Sequence, residues 1–335
     1  MKFITAARFL IPVILIIACH NRKSDSAMQN EKKYKEGFVE SEKVKLHYLD
    51  WGGQGPVVVL LTGLGDTPFL FEELAAQLSA HHHVIGYSRR DHGRSETKEK
   101  KYDNATLVAD LKLLLDSLKI DKANLLGWSM GGNEITGFAT LYPDRAGRLI
   151  YFEAGYDLSD GGFGKLVSNI PASYLPDSLV TKSLYNYRNW YHRFWFGDTK
   201  WNHALEANLL ASVKVDTTGN IQTIPHEAIF RSTLAEAMNY RRTYNKVTSP
   251  CLVIYTKPFL HPPDNNASTV RIYDSIERTI ASPWRDANKK RIKAELQNAT
   301  IVDAPNGSHT SFLYLSNEFL AKTIDAFLIN GSMEK

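Results

Sequence analysis

Residues 123–132 read ANLLGWSMGG and contain the pattern Gly-x-Ser-x-Gly, centred on Ser129. The pattern follows a short apolar run typical of a buried strand, and residues 131–141 favour a helix. A strand that turns sharply into a helix exposes the serine at the turn, and the flanking glycines allow strand and helix to approach closely. The stretch therefore predicts a nucleophile at Ser129. The alternative is a serine that only caps a helix.

Strand and helix patterns alternate along the rest of the chain. Apolar or β-branched runs predict strands at residues 44–48, 56–61, 83–87, 123–127, 148–152, 251–255 and 300–303. Leucines at helical spacing predict a helix over residues 104–118, and a last helix is predicted over residues 316–328. This alternation indicates an α/β fold with a mostly parallel central sheet and helices on both faces.

The composition fits one large globular domain with an insertion. The 335 residues are 43% hydrophobic and 23% charged, which excludes a disordered or collagen-like chain. The formal net charge of +4 is too small to indicate a nucleic-acid partner. The two cysteines, Cys19 and Cys251, exclude a disulfide framework, and no His and Cys spacing typical of a metal site is present. We expect Cys251, which opens an apolar strand, to be a small buried residue.

The first eighteen residues have the features of a secretory signal peptide. Lys2 and Arg8 accompany an apolar run at residues 9–18 that is too short to span a bilayer comfortably. The run ends Ile-Ile-Ala-Cys at Cys19, which resembles the lipobox of bacterial lipoproteins and implies lipidation of that cysteine. An ordinary cleaved signal peptide and an uncleaved anchor are the alternatives. We expect residues 19–36 to be a tether that holds the protein on a membrane, outside the cytoplasm.

Four segments, in order along the chain, resemble the α/β-hydrolase superfamily, and the resemblance covers roughly residues 37–330. Residues 61–66 (LTGLGD) resemble its oxyanion loop, with Thr62 where histidine is usual, and residues 88–95 (SRRDHGRS) resemble its arginine-glycine turn. The pattern around Ser129 is the third segment, and residues 306–309 (NGSH) resemble the loop that carries the catalytic histidine. The resemblance implies an α/β-hydrolase core at residues 37–154 and 247–335, with a helical lid at residues 155–246.

The same resemblance implies the parts of a serine hydrolase. Ser129 would be the nucleophile and His309 its base, in the superfamily's order of serine, acid and histidine. The backbone N–H groups of Leu64 and Met130 would form the oxyanion hole. We expect no metal and no organic cofactor.

Three carboxylates are candidates for the acid that orients His309. Most relatives place the acid shortly after the strand that here begins at Cys251, but no carboxylate appears there until Asp264. Glu153 ends the preceding strand, and this resembles relatives, some haloalkane dehalogenases among them, whose acid follows that strand. We expect Glu153 to be the acid, with Asp264 and Asp157 as the alternatives.

The predicted activity is hydrolysis of a carboxylic ester through an acyl-serine intermediate. A serine nucleophile argues against dehalogenase and epoxide-hydrolase chemistry, which need an aspartate. Amidase, thioesterase, carbon-carbon bond hydrolase and acyltransferase activities remain open, as does a weakly catalytic ligand-binding protein on this fold. The many aromatic residues of 155–246 predict a separate helical core, a pocket for an apolar or aromatic substrate, or both.

Overall fold

A computed structural model describes residues 33–197, 199–223 and 226–331. The predicted signal peptide, residues 1–18, and the predicted lipid site, Cys19, lie outside the described residues. No helix in the described ranges is long and apolar enough to cross a membrane.

The strands within the described ranges form one large sheet and a separate hairpin. They are β1 Lys35–Glu40, β2 Val44–Gly52, β3 Val57–Leu61, β4 His83–Tyr87, β5 Glu96–Thr97, β6 Ala123–Trp128, β7 Ala146–Phe152, β8 Lys214–Val215, β9 Ile221–Thr223, β10 Cys251–Tyr255 and β11 Ala299–Asp303. The order across the large sheet is β1-β2-β4-β3-β6-β7-β10-β11, with β5 beside β2. Strands β4 to β11 along this path are parallel, whereas β1, β2 and β5 pair in antiparallel fashion.

Eleven helices are described, and they cover both faces of this sheet or belong to the insertion. They are α1 Glu72–Leu78, α2 Asn104–Ser117, α3 Gly131–Leu141, α4 Gly162–Ser168, α5 Leu184–Phe196, α6 His203–Ser212, α7 His226–Asn239, α8 Ala267–Ile276, α9 Ser282–Glu295, α10 Phe312–Leu315 and α11 Asn317–Asn330. Helices α2 and α3 pack on one face, and α1 and α11 pack on the other. The predicted α/β fold with a mostly parallel sheet is therefore confirmed.

The apolar runs of the central strands follow from burial on both faces. In β3, Val58 and Leu60 belong to the core on the α1 and α11 face, while Val59 and Leu61 belong to the core on the α2 and α3 face. Successive side chains of a strand point to opposite faces, so a strand covered on both sides is apolar throughout. The carboxyl ends of these parallel strands lie at one edge of the sheet, where β6 and β7 end side by side at Trp128 and Phe152.

Strand β1 begins before residue 37, where the sequence resemblance places the start of the core. Strand β1 starts at Lys35, and the ring of Tyr34 packs edge-on against Trp51 and Phe69. The last residues of the predicted tether, 19–36, therefore belong to the domain. Only Val39 of β1 is fully buried, which explains why an edge strand of this composition gives little strand signal.

Residues 155–246, called here the inserted segment, join β7 to β10. They contain α4 to α7, as expected for a helical insertion, but they also contain the short antiparallel hairpin of β8 and β9. The hairpin is an addition that the sequence does not predict. Residues 216–220, an aspartate, two threonines, a glycine and an asparagine, favour a tight turn, and the flanking strands are only two and three residues long, so the sequence pattern that would predict the hairpin is weak.

Candidate active site

Ser129 lies at a strained turn between β6 and α3. Its φ angle is +53°, in the left-handed region that L-residues other than Asn and Asp rarely adopt. A Cβ on Gly127 would stand 2.5 Å from the carbonyl oxygen of Gly131, and one on Gly132 would stand 2.8 Å from that of Ala154. Only glycine permits these approaches, so the pattern Gly-x-Ser-x-Gly-Gly sets the sharp turn that presents the Ser129 hydroxyl.

His309 is placed against Ser129 by a loop between β11 and α10. Its Nε2 lies 3.0 Å from the Ser129 Oγ. The backbone N–H of His309 donates to the carbonyl of Phe259, and the indole of Trp128 donates to the carbonyl of His309 at 3.1 Å. The Phe259 ring stacks on the imidazole, with 4.4 Å between ring centroids. The imidazole is therefore fixed in position by contacts to both its ring and its backbone.

Glu153 contacts the other nitrogen of His309. Its Oε2 lies 2.6 Å from the His309 Nδ1, and the Glu153 side chain is fully buried. The remaining oxygen, Oε1, accepts hydrogen bonds from the backbone N–H of Thr256 at 2.7 Å and from the hydroxyl of Tyr156 at 3.1 Å. Burial raises the pKa of Tyr156 well above its usual value, and the Glu153 charge raises it further, so Tyr156 stays a donor. The carboxylate is thus held by three partners.

The two alternative carboxylates have other partners. Asp264 is exposed and accepts a hydrogen bond from the backbone N–H of Asn266. Asp157 is buried, accepts from the backbone N–H and hydroxyl of Ser159, and forms an ion pair with Arg291. Neither has a hydrogen bond to His309, so the structure brings Glu153 alone of the three to the histidine.

The loop after β3, residues 61–66, is held from behind by Arg89. The Arg89 guanidinium donates to the carbonyl oxygens of Thr62 at 2.9 Å and Gly63 at 3.0 Å, and it pairs with Glu134 of α3. A carbonyl and the next N–H point in opposite directions in a trans peptide. Because Arg89 binds the Gly63 carbonyl, the Leu64 N–H points away from Arg89. The hydroxyl of Thr62, which stands where histidine is usual, donates to the backbone carbonyl of Asp66 at 3.0 Å and closes the loop.

A cavity of about 170 Å³ opens beside Ser129 and His309. Leu64 lies in its wall, and Met130, the residue next to the nucleophile, lies at the N-terminus of α3. The inserted segment supplies more than half of the lining, much of it aromatic: Phe163, Leu166, Val167, Ile170, Tyr187, Tyr191, Trp195, Phe196, Asn208, Leu209, Ser212 and Phe230. Other aromatic residues of the segment pack on one another, as where Trp190 stacks on Phe194, or on the core, as where Tyr244 packs on Tyr151. The aromatic residues thus form both a helical core and a pocket lining.

One carboxyl group, that of Asp66, also lines this cavity. Burial raises the pKa of Asp66 to about 6, although the hydrogen bonds from Asn208 and Tyr191 oppose the shift. No pattern in the sequence alone indicates a role for Asp66, Arg89 or Tyr156 individually. Arg89 lies in the arginine-glycine turn already noted. The partners of Asp66 lie far away in sequence, whereas Tyr156 is only three residues from Glu153, but no local pattern indicates that contact.

The remaining predicted residue, Cys251, is buried and free, and burial raises the pKa of its thiol. This agrees with the expected structural role. Among residues 33–197, 199–223 and 226–331, no group of three or more His, Cys, Asp or Glu side chains is placed to hold a metal ion.

A comparison with known families agrees with the sheet topology described above. Residues 56–202 match a family described as the alpha/beta hydrolase fold. The chain has the α/β-hydrolase fold, with a mostly parallel central sheet and helices on both sides.

Three similar proteins illustrate the range of this fold. A 2-hydroxy-6-oxononadienedioate/2-hydroxy-6-oxononatrienedioate hydrolase of Paraburkholderia phymatum is 31% identical over 128 residues, 37% of this chain and 44% of that protein. A 3-oxoadipate enol-lactonase of Acinetobacter baylyi is 31% identical over 111 residues, 33% of this chain and 42% of that protein. The chain thus spans less than half the length of these curated relatives. The crystal structure of E-2-(acetamidomethylene)succinate hydrolase superposes with a TM-score of 0.65 at 17% identity, covering 88% of this chain and 99% of the other, which shows the fold alone.

Proposed function

We propose that the protein is a serine hydrolase that cleaves a carboxylic ester through an acyl-serine intermediate. The observation that carries the proposal is the continuous hydrogen-bonded path from the Ser129 Oγ through both nitrogens of His309 to Glu153. A serine hydroxyl is a weak nucleophile unless an oriented base takes its proton, and this path supplies the base and its orienting acid.

In the first step, the Ser129 Oγ attacks the ester carbonyl carbon while the His309 Nε2 takes the hydroxyl proton. The Glu153 carboxylate stabilises the imidazolium that forms, and it remains ionised. When the tetrahedral intermediate collapses, the bond to the alcohol oxygen breaks and His309 gives its proton to the leaving alcohol. A water molecule, deprotonated by the same nitrogen, then attacks the acyl-serine ester and releases the carboxylic acid and free Ser129.

The negative charge on the carbonyl oxygen needs donors during both attacks. We assign this role to the backbone N–H groups of Leu64 and Met130. Removal of one such donor costs about 3 to 4 kcal/mol of transition-state stabilisation in well-studied hydrolases. The contacts of Arg89 to the Thr62 and Gly63 carbonyls support the assignment, since they fix the peptide unit that carries the Leu64 N–H.

We further propose that the inserted segment is a lid over the site and that the substrate has an apolar or aromatic part. The aromatic side chains that this segment contributes to the cavity support both points. A pocket lined by large apolar side chains binds apolar groups by removing their surface from water.

A panel of 4-nitrophenyl esters of increasing acyl length tests the proposed activity. We expect saturable release of 4-nitrophenol, with a kcat/KM that rises with chain length and then falls when the chain exceeds the pocket. Rapid labelling of Ser129 by a fluorophosphonate would separate an enzyme from a weakly catalytic binding protein. No turnover of any ester, together with no labelling, would contradict the proposal.

A second candidate is hydrolysis of a carbon-carbon bond, which is what the name of the Paraburkholderia phymatum relative describes. It would use the same three residues, with a ketone carbonyl as the electrophile. Turnover of a vinylogous diketone at a rate well above that of all esters in the panel would favour it.

We also propose that the protein is a membrane-anchored lipoprotein outside the cytoplasm. The support is the sequence of residues 1–19, where an apolar run ends in the lipobox-like Ile-Ile-Ala-Cys.

A further inference from the structure

We propose that Asp66 is a specificity-determining residue, whose free carboxylate oxygen binds an ammonium or hydroxyl group of the substrate close to the scissile ester. The inference rests on the proposed ester hydrolysis and adds a substrate class to it. This class comprises esters with a positively charged or hydrogen-bond-donating group near the ester carbonyl. Esters that carry a free carboxylate at that place are excluded from it.

The first step of the argument is the fixed orientation of the carboxylate. Its Oδ1 accepts hydrogen bonds from the Tyr191 hydroxyl and the Asn208 amide, each at 3.2 Å. The amide cannot be turned round, because its own oxygen accepts from the backbone N–H and the hydroxyl of Thr67, both at 2.7 Å. Asn208 also donates to the Tyr191 hydroxyl at 2.8 Å, so the donors to Oδ1 are themselves locked.

The second step concerns the other oxygen, Oδ2. No described residue forms a hydrogen bond to it, and Asp66 is part of the cavity wall. The Oδ2 atom is also close to the nucleophile. A Cβ built on Gly63 would lie 3.5 Å from Asp66 Oδ2 and 3.5 Å from Ser129 Cβ, so these two atoms are at most about 7 Å apart. A substrate atom two to four bonds from the reacting carbonyl would reach Oδ2.

The third step is the charge of the pocket. Among the described residues, the lining contains no Lys or Arg that could neutralise a second anionic group. A substrate group that covers Oδ2 removes this oxygen from water, and an acceptor buried without a partner costs about 1 to 3 kcal/mol, more when it is charged. A donor on the substrate would satisfy Oδ2, whereas a carboxylate in the same place would face an uncompensated like charge.

The fourth step concerns whether Asp66 serves only to hold the inserted segment against the core. Asp66 does connect the loop after β3 to α5 and α6 of the inserted segment, but Oδ1 alone makes both of those contacts. A residue needed only as a connector would not require a second, unpaired oxygen in the cavity beside the nucleophile.

Four matched benzyl esters test the proposal: the butanoate, the 3-hydroxybutanoate, the 3-aminopropanoate and the hydrogen succinate. The benzyl group is constant and suits the aromatic lining, so only the group near the carbonyl changes. Release of benzyl alcohol would be measured at about pH 8, which is above the Asp66 pKa of about 6. We expect kcat/KM for the ammonium and hydroxyl esters to exceed that for the butanoate by about 10-fold or more, and the succinate to be the poorest substrate.

The variants Asp66→Asn and Asp66→Ala supply the comparison. Each rate is divided by the rate on benzyl butanoate in the same variant, so a general loss of activity or folding cancels. We expect the ammonium preference to fall to near unity and the succinate to improve in both variants. Unchanged ratios in both would overturn the proposal.

A binding measurement separates this proposal from the proposed hydrolysis. Calorimetric titration of Ser129→Ala with benzyl 3-aminopropanoate and benzyl butanoate reports the Asp66 contact without turnover. Preferential binding of the ammonium ester that disappears in Ser129→Ala/Asp66→Asn would support the role of Asp66 even if wild type hydrolysed none of the esters. Equal binding of the two esters to Ser129→Ala would contradict it.

Discussion

Ser129 and Glu153 occupy equivalent positions at the ends of neighbouring parallel strands, and both have a left-handed backbone conformation. Trp128 pairs with Phe152 in the register of β6 and β7, so each of the two residues is the first after its strand. Their φ angles are +53° and +48°. Each such residue costs of order 1 to 3 kcal/mol, and the surrounding structure must hold it in place. The strain turns both side chains toward the same edge of the sheet, where His309 lies between them.

Ser129→Ala is expected to abolish ester turnover by several orders of magnitude, because the three residues act as a unit. The protein should keep its fold, since the change removes one hydroxyl. The measurements are kcat on the preferred 4-nitrophenyl ester and the mass shift after fluorophosphonate treatment, with circular dichroism as the folding control. More than a few per cent of wild-type kcat would exclude Ser129 as the nucleophile.

Glu153→Gln is expected to lower kcat by about 10²- to 10⁴-fold, because the amide no longer stabilises the imidazolium and can favour the wrong tautomer. Asp264→Asn is the matched control, an exposed carboxylate converted in the same way, and it should leave kcat unchanged. Steady-state kinetics of the two variants decide the matter. A larger loss of kcat in Asp264→Asn than in Glu153→Gln would show that Asp264, and not Glu153, is the acid that orients His309.

Arg89→Lys is expected to lower kcat by about 10- to 100-fold with little change in KM. A lysine cannot contact the Thr62 carbonyl, the Gly63 carbonyl and Glu134 together, so the Leu64 N–H would lose its fixed direction. An oxyanion donor acts mainly in the transition state, which places the effect in kcat.

Arg90→Lys is the matched control for this prediction. Arg90 is equally buried but pairs with Asp110 and with the carbonyls of Glu99 and Lys101, away from the loop of residues 61–66. The Arg90→Lys substitution should lower the thermal stability without a specific loss of kcat. Equal kinetic effects in the two variants would contradict a positioning role for Arg89.

The stability of the protein is expected to depend on the ionisation of Asp66. Its pKa in the folded protein is about 6, above the ordinary value of 3.8, so folding favours the protonated form. The protonated Asp66 therefore adds to the free energy of unfolding. This added stability is fully present below about pH 4 and is lost as the pH rises through about 6, and it is at most about 3 kcal/mol. Asp66→Asn should remove this loss.

The check is the difference in Tm between wild type and Asp66→Asn, measured from about pH 4 to pH 7.5. The charged or titratable groups around Asp66 are Tyr187, Tyr191, Tyr314, His309 and Arg89, and they are common to both proteins. The variant should gain stability relative to wild type as the pH rises. A difference that stays constant over this range would show that Asp66 is not preferentially protonated in the folded state.

Cys19→Ser is expected to move the protein from the detergent phase to the aqueous phase in Triton X-114 partitioning. The change should also block lipidation and the cleavage that accompanies it, which is visible as a larger mass. Cys251→Ser is the control, because that cysteine is buried in β10. Wild type found wholly in the aqueous phase would contradict the lipoprotein proposal.

The parts of the fold that the sequence predicts are those with a strong local pattern. The central strands are apolar on both faces, and the glycines around Ser129 form a short motif that is recognisable in the sequence. Helices α8 and α9 were not predicted. Helix α9 has the sequence SPWRDANKKRIKAE, in which Trp284 and Ile292 are the large apolar residues buried, so its periodic signal is weak.

The parts of the site that the sequence did not predict are made by distant segments. Asp66 takes its environment from Tyr191 and Asn208, more than 120 residues away. Tyr156 is only three residues from Glu153, but its ring is stacked on Trp284, which also lies more than 120 residues away. Contacts of this kind depend on how the inserted segment packs on the core, which no local pattern encodes.

The residues that we assign to bond breaking and the residues that line most of the pocket lie on different stretches of chain. Ser129, Glu153 and His309 follow strands of the sheet, whereas most of the cavity wall comes from residues 155–246, which enter and leave between β7 and β10. Recombination could therefore exchange the insertion between the end of β7 and the start of β10 and leave Ser129, Glu153 and His309 in place, provided that Tyr156, the hydrogen-bond donor to Glu153, is kept. In such a chimera, Asp66 would be the residue to redesign together with the insertion, since its two hydrogen-bond donors belong to the exchanged part.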